Sequence, residues 1–202
     1  MYTRTIYATG DPAKMDGAVE ALRTEGPRLL SGQPGFLGLS VFVDRELGKL
    51  LVGSWWETEQ ARQASDDAIR EERAALFKPY VTTFALDNWE AAVAVRPATL
   101  PQPGAGFRMG RLEFDPSDAD LLVETFRSTA LPRFQAIPGF LGSSLFIDRA
   151  KGRATVGVVY TDRNTLAASR AAQSQARGEA IAKARFTLRS LEEFDVAFMT
   201  SG

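Results

Sequence analysis

The chain contains no cysteine and no histidine among its 202 residues. Without cysteine there is no disulfide, zinc–thiolate site, iron–sulfur cluster or thiol nucleophile. Without histidine the commonest general base and the commonest transition-metal ligand are gone, together with histidine-ligated haem and every Ser–His hydrolase arrangement. No apolar run approaches the ~20 residues of a membrane span. The N-terminal stretch MYTRTIYATGDP lacks the apolar core of a signal peptide, so the expected location is cytoplasmic by default. Net charge is −1, which gives no electrostatic case for nucleic acid. Any catalysis must use Asp, Glu, Tyr, Lys, Arg, Asn or Trp, or the reactivity of the substrate itself.

One stretch is present twice. Pro34 to Thr58 reads PGFLGLSVFVDRELGKLLVGSWWET, and Pro138 to Asp162 reads PGFLGSSLFIDRAKGRATVGVVYTD. The matched positions lie 104 residues apart, and 12 of the 25 pairs are identical without a gap. An ungapped offset of that length implies one structural unit used twice. The expected organisation is a first domain over 1–96, a Pro/Gly linker over 97–105, and a second domain over 106–202. The halves carry opposite charge: residues 1–96 have 11 basic and 14 acidic side chains, and residues 106–202 have 13 and 11. Opposite signs suit halves that face each other, and drift between duplicated copies explains them equally.

Each copy reads β-α-β-β-α-β, the ferredoxin-like order. The strand from Tyr2 to Thr9 ends at Asp11-Pro12, an N-cap followed by proline at the first helical position; Asp115-Pro116 repeats the signal. The first helix carries an apolar stripe at Met15, Val19, Leu22, Gly26 and Leu30, matched by Ala119, Val123, Phe126, Ala130 and Phe134. Pro27 and Pro132 predict a late break or kink. A hairpin follows, with its loop at Asp44-Arg45-Glu46-Leu47-Gly48 and the return strand from Lys49. Thr58 and Asp162 are N-caps for second helices running from about Glu59 and Arg163, with small residues such as Ala64, Ala68, Ala172 and Ala176 turned inward. Closing strands fall near 84–95 and 191–199. The fold class is therefore α+β: two ferredoxin-like repeats. The apolar parity Leu37, Leu39, Val41 and Val43 reads as a bare sheet face, and pressing two such faces together would make a pseudo-dimer within one chain, with higher oligomers open.

The PGF-L-G run, the D-x-x-x-G hairpin and the aromatic-ended strand WWETEQAR resemble the antibiotic biosynthesis monooxygenase group of dimeric α+β barrels. The resemblance extends over both copies. It implies units paired sheet to sheet, each able to hold a small ligand between helices and sheet. Some members oxidise aromatic polyketides or quinols with O₂ and neither metal, flavin nor haem; others degrade haem, and others have no known activity. The aromatic carried over is Trp56, with Tyr160 in the second copy. In the haem-degrading branch that Trp works beside a helix histidine. The corresponding positions here, near Asp66 and Arg170, carry different chemistry, which argues against that branch.

Candidate site residues follow. Phe36, Gly38, Ser40 and Phe42 share one strand parity and recur as Phe140, Gly142, Ser144 and Phe146. They form either a pocket floor under the helices or a seat for a tightly packed helix. Trp56 and Tyr160 are either a wall for an aromatic substrate or aromatic plugs. Trp55 would take that place if the hairpin register shifted by one. Tyr7 and Tyr80 occur only in the first copy, and a phenol at a pocket mouth could donate to a developing oxyanion. The expected catalytic set is thus Trp56, Tyr80 and Tyr7, with the first copy as the active half. No metal site is expected, since Asp66, Asp67, Glu71 and Glu72 read as a solvated helix face. The leading expectation is a cofactor-independent monooxygenase acting with O₂ on an aromatic polyketide- or quinol-like molecule. The alternative is a non-catalytic binding or scaffold protein, and a sealed cavity below ~100 Å³ would favour it.

Overall fold

The computed structural model describes residues 1–202. The chain forms eight strands: β1 (Tyr2–Gly10), β2 (Phe36–Asp44), β3 (Lys49–Trp56), β4 (Val81–Val95), β5 (Gly106–Glu113), β6 (Phe140–Asp148), β7 (Arg153–Tyr160) and β8 (Thr187–Ser201). The helices are α1 (Met15–Leu30), α2 (Glu59–Phe77), α3 (Ala119–Thr125), α4 (Leu131–Gln135), α5 (Arg163–Ala168) and α6 (Arg170–Ala184). This is the α+β class with two ferredoxin-like repeats.

The chain divides into two compact units, residues 1–89 with 196–202, and residues 90–195. The division does not fall in the Pro/Gly segment 97–105. It falls inside the two 15-residue strands β4 and β8. In the first unit β3 lies between β1 and β2, the early part of β4 flanks β1, and the last residues of β8 flank β2. In the second, β7 lies between β5 and β6, the early part of β8 flanks β5, and Glu90 to Val95 flank β6. Both units therefore have the same order, each completed by the end of a strand begun in the other.

Local signals place the elements as the sequence predicts. The carboxylates of Asp11 and Asp115 accept the backbone N–H groups of Ala13 and Ser117. Thr58 caps α2 through the Ala61 N–H, and Asp162 caps α5 through the Thr165 N–H. In the hairpins Asp44 accepts from Leu47 N–H at 3.0 Å and Asp148 from Lys151 N–H at 3.1 Å. Gly48 (φ 61°) and Gly152 (φ 60°) then turn the chain back. A Cβ on either would lie 2.2 Å from a backbone carbonyl oxygen, that of Gly10 or of Phe114. Pro27 does not break α1, which continues to Leu30. The disturbance is in the second unit, where a π-turn (Phe126–Ala130) joins α3 to α4 just before Pro132.

Two expectations about faces are corrected. The helices cover Leu39, Val41, Val43, Leu50 and Val52 in the first unit, and Leu145, Ile147, Ala154 and Val158 in the second. Ser40 and Phe42, with Ser144 and Phe146, alternate onto the opposite face. Phe36 and Phe140 pack on the helix side after all, because a β-bulge separates each from the following glycine. The bulge changes the parity between the PGF entry and the strand proper. Gly38, at φ 147°, supplies the backbone it needs in the first copy. The buried stripe of α2 is also rotated: Arg62, Ser65, Ile69, Arg73 and Phe77 face inward while Ala64, Ala68 and Ala75 are exposed. On α6 the buried residues are Gln173, Ala176, Ala180 and Ala184, so Ala172 points out.

Candidate functional site

Each unit holds a small cavity, about 40 Å³, between its helices and its sheet. Both are built around a buried arginine from the first strand of the repeat. Arg4 and Arg108 stand 104 positions apart and are each 2% exposed. The Arg4 guanidinium donates to the Arg62 carbonyl and, at 3.1 Å, to Ser65 Oγ. That of Arg108 donates to the Leu166 carbonyl at 2.7 Å and to Ser169 Oγ at 2.9 Å. Residues 62 and 166, and 65 and 169, keep the same offset, so the arginine-to-helix clasp is duplicated.

The counter-ions are not duplicated. In the first unit Asp66 on α2 lies 3.5 Å from Arg4 Nε and 2.6 Å from Arg73 Nη2. Burial opposes its charge, but Arg73, Arg4 and Arg70 outweigh it and hold the carboxyl below its usual range. Burial lowers Arg4 to about 10, against the pull of Asp66. In the second unit the position of Asp66 is taken by Arg170, and the carboxylate comes from Glu193 on β8. Glu193 Oε1 accepts from Arg108 Nη2 at 2.6 Å, and its Oε2 accepts from Arg170 Nη2 at 2.7 Å. Arg170 and then Arg108 hold the Glu193 pKa at about 2, against the effect of burial.

The aromatic ends of the return strands differ in consequence. Trp56 is fully buried on the helix side; its indole N–H donates to Ser54 Oγ at 3.1 Å, Phe36 meets it edge-on, and Arg4 lies over its ring. It is a packed core residue, and the cavity wall is made instead by Arg4, Ser54, Arg73 and aliphatic neighbours. Ser40 pairs with Gly53, so Trp55, not Trp56, shares its face. Tyr160 is also fully buried, but its hydroxyl accepts from Gln173 Nε2 at 2.7 Å. Burial pushes the phenol's pKa up, and hydrogen bonds from Gln173 and Ser169 and the Arg108 charge pull it back. Gln173 corresponds to Ile69 in the first unit, so the second unit has a polar corner, Arg108–Tyr160–Gln173, where the first has Trp56 and Ile69. Arg108, Gln173 and Arg177 line the second cavity, whose apolar walls include Leu112, Leu122, Phe126, Phe134, Val158 and Phe186. It reaches the surface beside Leu191, which is 44% exposed.

The structure does not bring the expected catalytic trio together. Trp56 lies opposite Tyr2 at one end of β1, whereas Tyr80 packs against Gly10 and Gly17 at the other, roughly 25 Å along the strand. Tyr7 alternates onto the face away from the helices, between Ile6 and Ala8. Of the expected ligand-binding residues, Phe36, Phe140 and Tyr160 lie on the helix side, while Gly38, Ser40, Phe42, Ser144 and Phe146 do not. Arg108, Gln173 and Arg177 were missed. Their signal was present: arginine recurs at offset 104 in mid-strand and again at Arg73 and Arg177.

Residues 1–68 match the profile of the family described as antibiotic biosynthesis monooxygenase. The chain is 28% identical over 160 residues to the uncharacterized protein Rv2557 of Mycobacterium tuberculosis, covering 79% of this chain and 71% of that one. It is 25% identical over 200 residues to Rv2558 of the same organism, covering 98% and 84%. Among solved structures, a monooxygenase candidate from Lactobacillus acidophilus superposes with a TM-score of 0.71 at 9% identity, covering 99% of this chain and 95% of that one. An anthrone oxidase-like protein gives 0.68 at 12% identity, covering 99% and 92%. A haem-degrading enzyme from Listeria monocytogenes gives 0.56 at 6% identity, covering 97% and 99%. The chain thus shares the fold of these solved structures, and its first 68 residues carry the match to the antibiotic biosynthesis monooxygenase family.

Proposed function

We propose that the protein is an oxygenase that needs no metal, flavin or haem and oxidises a small electron-rich aromatic, of quinol or anthrone type, in the second unit's cavity. The observation that carries this reading is the pair Arg108 and Gln173 lining a largely apolar cavity, with Gln173 held from behind by the buried Tyr160 hydroxyl. Such a substrate loses a proton to give a phenolate or stabilised carbanion, and a buried cation lowers the cost of that charge. The carbanion transfers an electron to O₂, and the two radicals combine as a carbon-bound peroxide. Loss of water then leaves a carbonyl. A CH₂ group and O₂ become C=O and H₂O, so no outside reductant is required. The protein supplies orientation, a dry apolar wall and anion stabilisation.

The cavity volume supports a second reading, a non-catalytic small-molecule-binding protein. A cavity of about 40 Å³ is well below the ~150 Å³ that admits a benzene ring. An aromatic substrate therefore requires outward movement of the rim at Leu188 and Leu191. Oxygen uptake with a panel of hydroquinones and anthrones separates the two. The oxygenase reading expects turnover that falls about tenfold or more in Gln173→Leu and Tyr160→Phe, with the far-ultraviolet circular dichroism unchanged. Binding without oxygen uptake across the panel supports the second reading. Turnover indifferent to both substitutions removes the second unit's cavity as the site.

A further inference from the structure

The two cavities differ in one electrostatic respect. In the first unit the buried Arg73 faces its own carboxylate, Asp66, at 2.6 Å. Its counterpart 104 positions on, Arg177, lines the second cavity without a hydrogen-bond or ion-pair partner. The reason lies in the sequence. Asp66 has become Arg170, a reversal of charge, and the substitute carboxylate, Glu193, is taken up by Arg108 and Arg170. Two guanidinium groups, Arg108 and Arg170, thus share that one carboxylate, and none pairs with Arg177.

Arg177 is half-buried, and the charge that acts on it is another cation, Arg108. Burial first, and then the Arg108 charge, push it below an ordinary guanidinium. A guanidinium set into an apolar wall with no counter-ion is costly unless an anion arrives with the ligand. The apolar part of the wall, with Leu112, Leu122, Phe126, Phe134 and Phe186, suits a hydrocarbon body.

We propose that the second unit's cavity selects a small organic acid, with an ionised carboxylate held by Arg177 in the place that Asp66 fills in the first unit and an apolar body against the phenylalanines. The planar carboxylate matches the guanidinium fork, and a volume of about 40 Å³ favours the smaller head group over a tetrahedral phosphate. This rests on the reading that this cavity is the ligand site, and it narrows the substrate to an aromatic or aliphatic acid.

The test is calorimetric titration of the full chain at pH 7 with benzoate and butyrate, each against its neutral amide, and with phenyl phosphate. The acids are expected to bind about tenfold or more tightly than the amides. Arg177→Gln should erase that preference, bringing acid and amide to equal affinity. Arg170→Asp, which returns a carboxylate to the position matching Asp66, should erase it too and guards against misfolding of the first variant. Equal affinity for acid and amide, or a preference that survives both substitutions, overturns the proposal, as does tighter binding of phenyl phosphate than benzoate. Oxygen uptake followed with neutral hydroquinones keeps the two readings apart. Acid preference without turnover overturns the oxygenase alone; turnover without acid preference overturns the anion site alone.

Discussion

Replacing Glu193 by Gln tests the electrostatics of the second unit directly. Glu193 bridges Arg108, which is 2% exposed, and Arg170, which is 64% exposed. Its pKa falls from 4.5 to about 2 on folding. At 1.36 kcal/mol per unit, this linkage contributes at most about 3 kcal/mol to stability, solvent screening of the exposed Arg170 arm reducing it. The sign follows from the depression. The contribution is full above pH 4.5, where the unfolded carboxyl is ionised, and is lost as pH falls towards 2. Leaving a buried arginine without its partner costs ~3–5 kcal/mol by mutational precedent, which brackets the same figure. The Arg170 arm is exposed and screened, so Arg170→Gln should lose ~1 kcal/mol or less. In urea at pH 7, Glu193→Gln should lower the unfolding midpoint by about 1.5 M for a slope near ~2 kcal/mol/M. By pH 2.5 the gap between the wild type and the variant should shrink to about 1 kcal/mol or less. A loss below ~1 kcal/mol at pH 7, or one that is the same at pH 2.5, would refute the reasoning.

Two further substitutions probe the scaffold. Trp56→Ala should cost ~3–5 kcal/mol in chemical denaturation, as expected for a fully buried aromatic, while leaving ligand affinity at the second cavity unchanged. A variant of normal stability without ligand affinity would restore Trp56 as a site residue. Gly48→Ala and Gly152→Ala should each destabilise by at least ~1–3 kcal/mol, since each forces a left-handed turn and drives a methyl into a carbonyl. Thermal melts of the pair should show equal losses, and a neutral result at either position would remove the shared hairpin geometry as the cause.

The scaffold was legible because its signals are local and occur twice. Asp-Pro starts, Thr58 and Asp162 caps, hairpin loops at Gly48 and Gly152, and the α1 stripe all depend on neighbours in sequence. The site was harder because it depends on which face each strand presents. The bulge after Phe36 shifts parity by one, so a pattern read correctly along β2 pointed to the wrong side. Counting small residues on α2 failed for a related reason. Arg62 and Arg73 bury their stems and pair their heads, so the inward stripe is the charged one. Trp56 drew attention as a large aromatic, yet the informative comparison was between Ile69 and Gln173 and between Asp66 and Arg170. Those differences stand out only once Arg4 and Arg108 are seen to be buried in the same clasp.

Residues 196–202 complete the first unit beside β2, where the Gly202 N–H donates to the Leu37 carbonyl at 3.1 Å. They are synthesised only after residues 90–195. The first unit therefore cannot mature in the order of its synthesis: the edge of β2 stays unpaired while residues 90–195 are being made. Completion of the first unit is gated by residues 196–202, which makes the two units a single folding commitment rather than two successive ones.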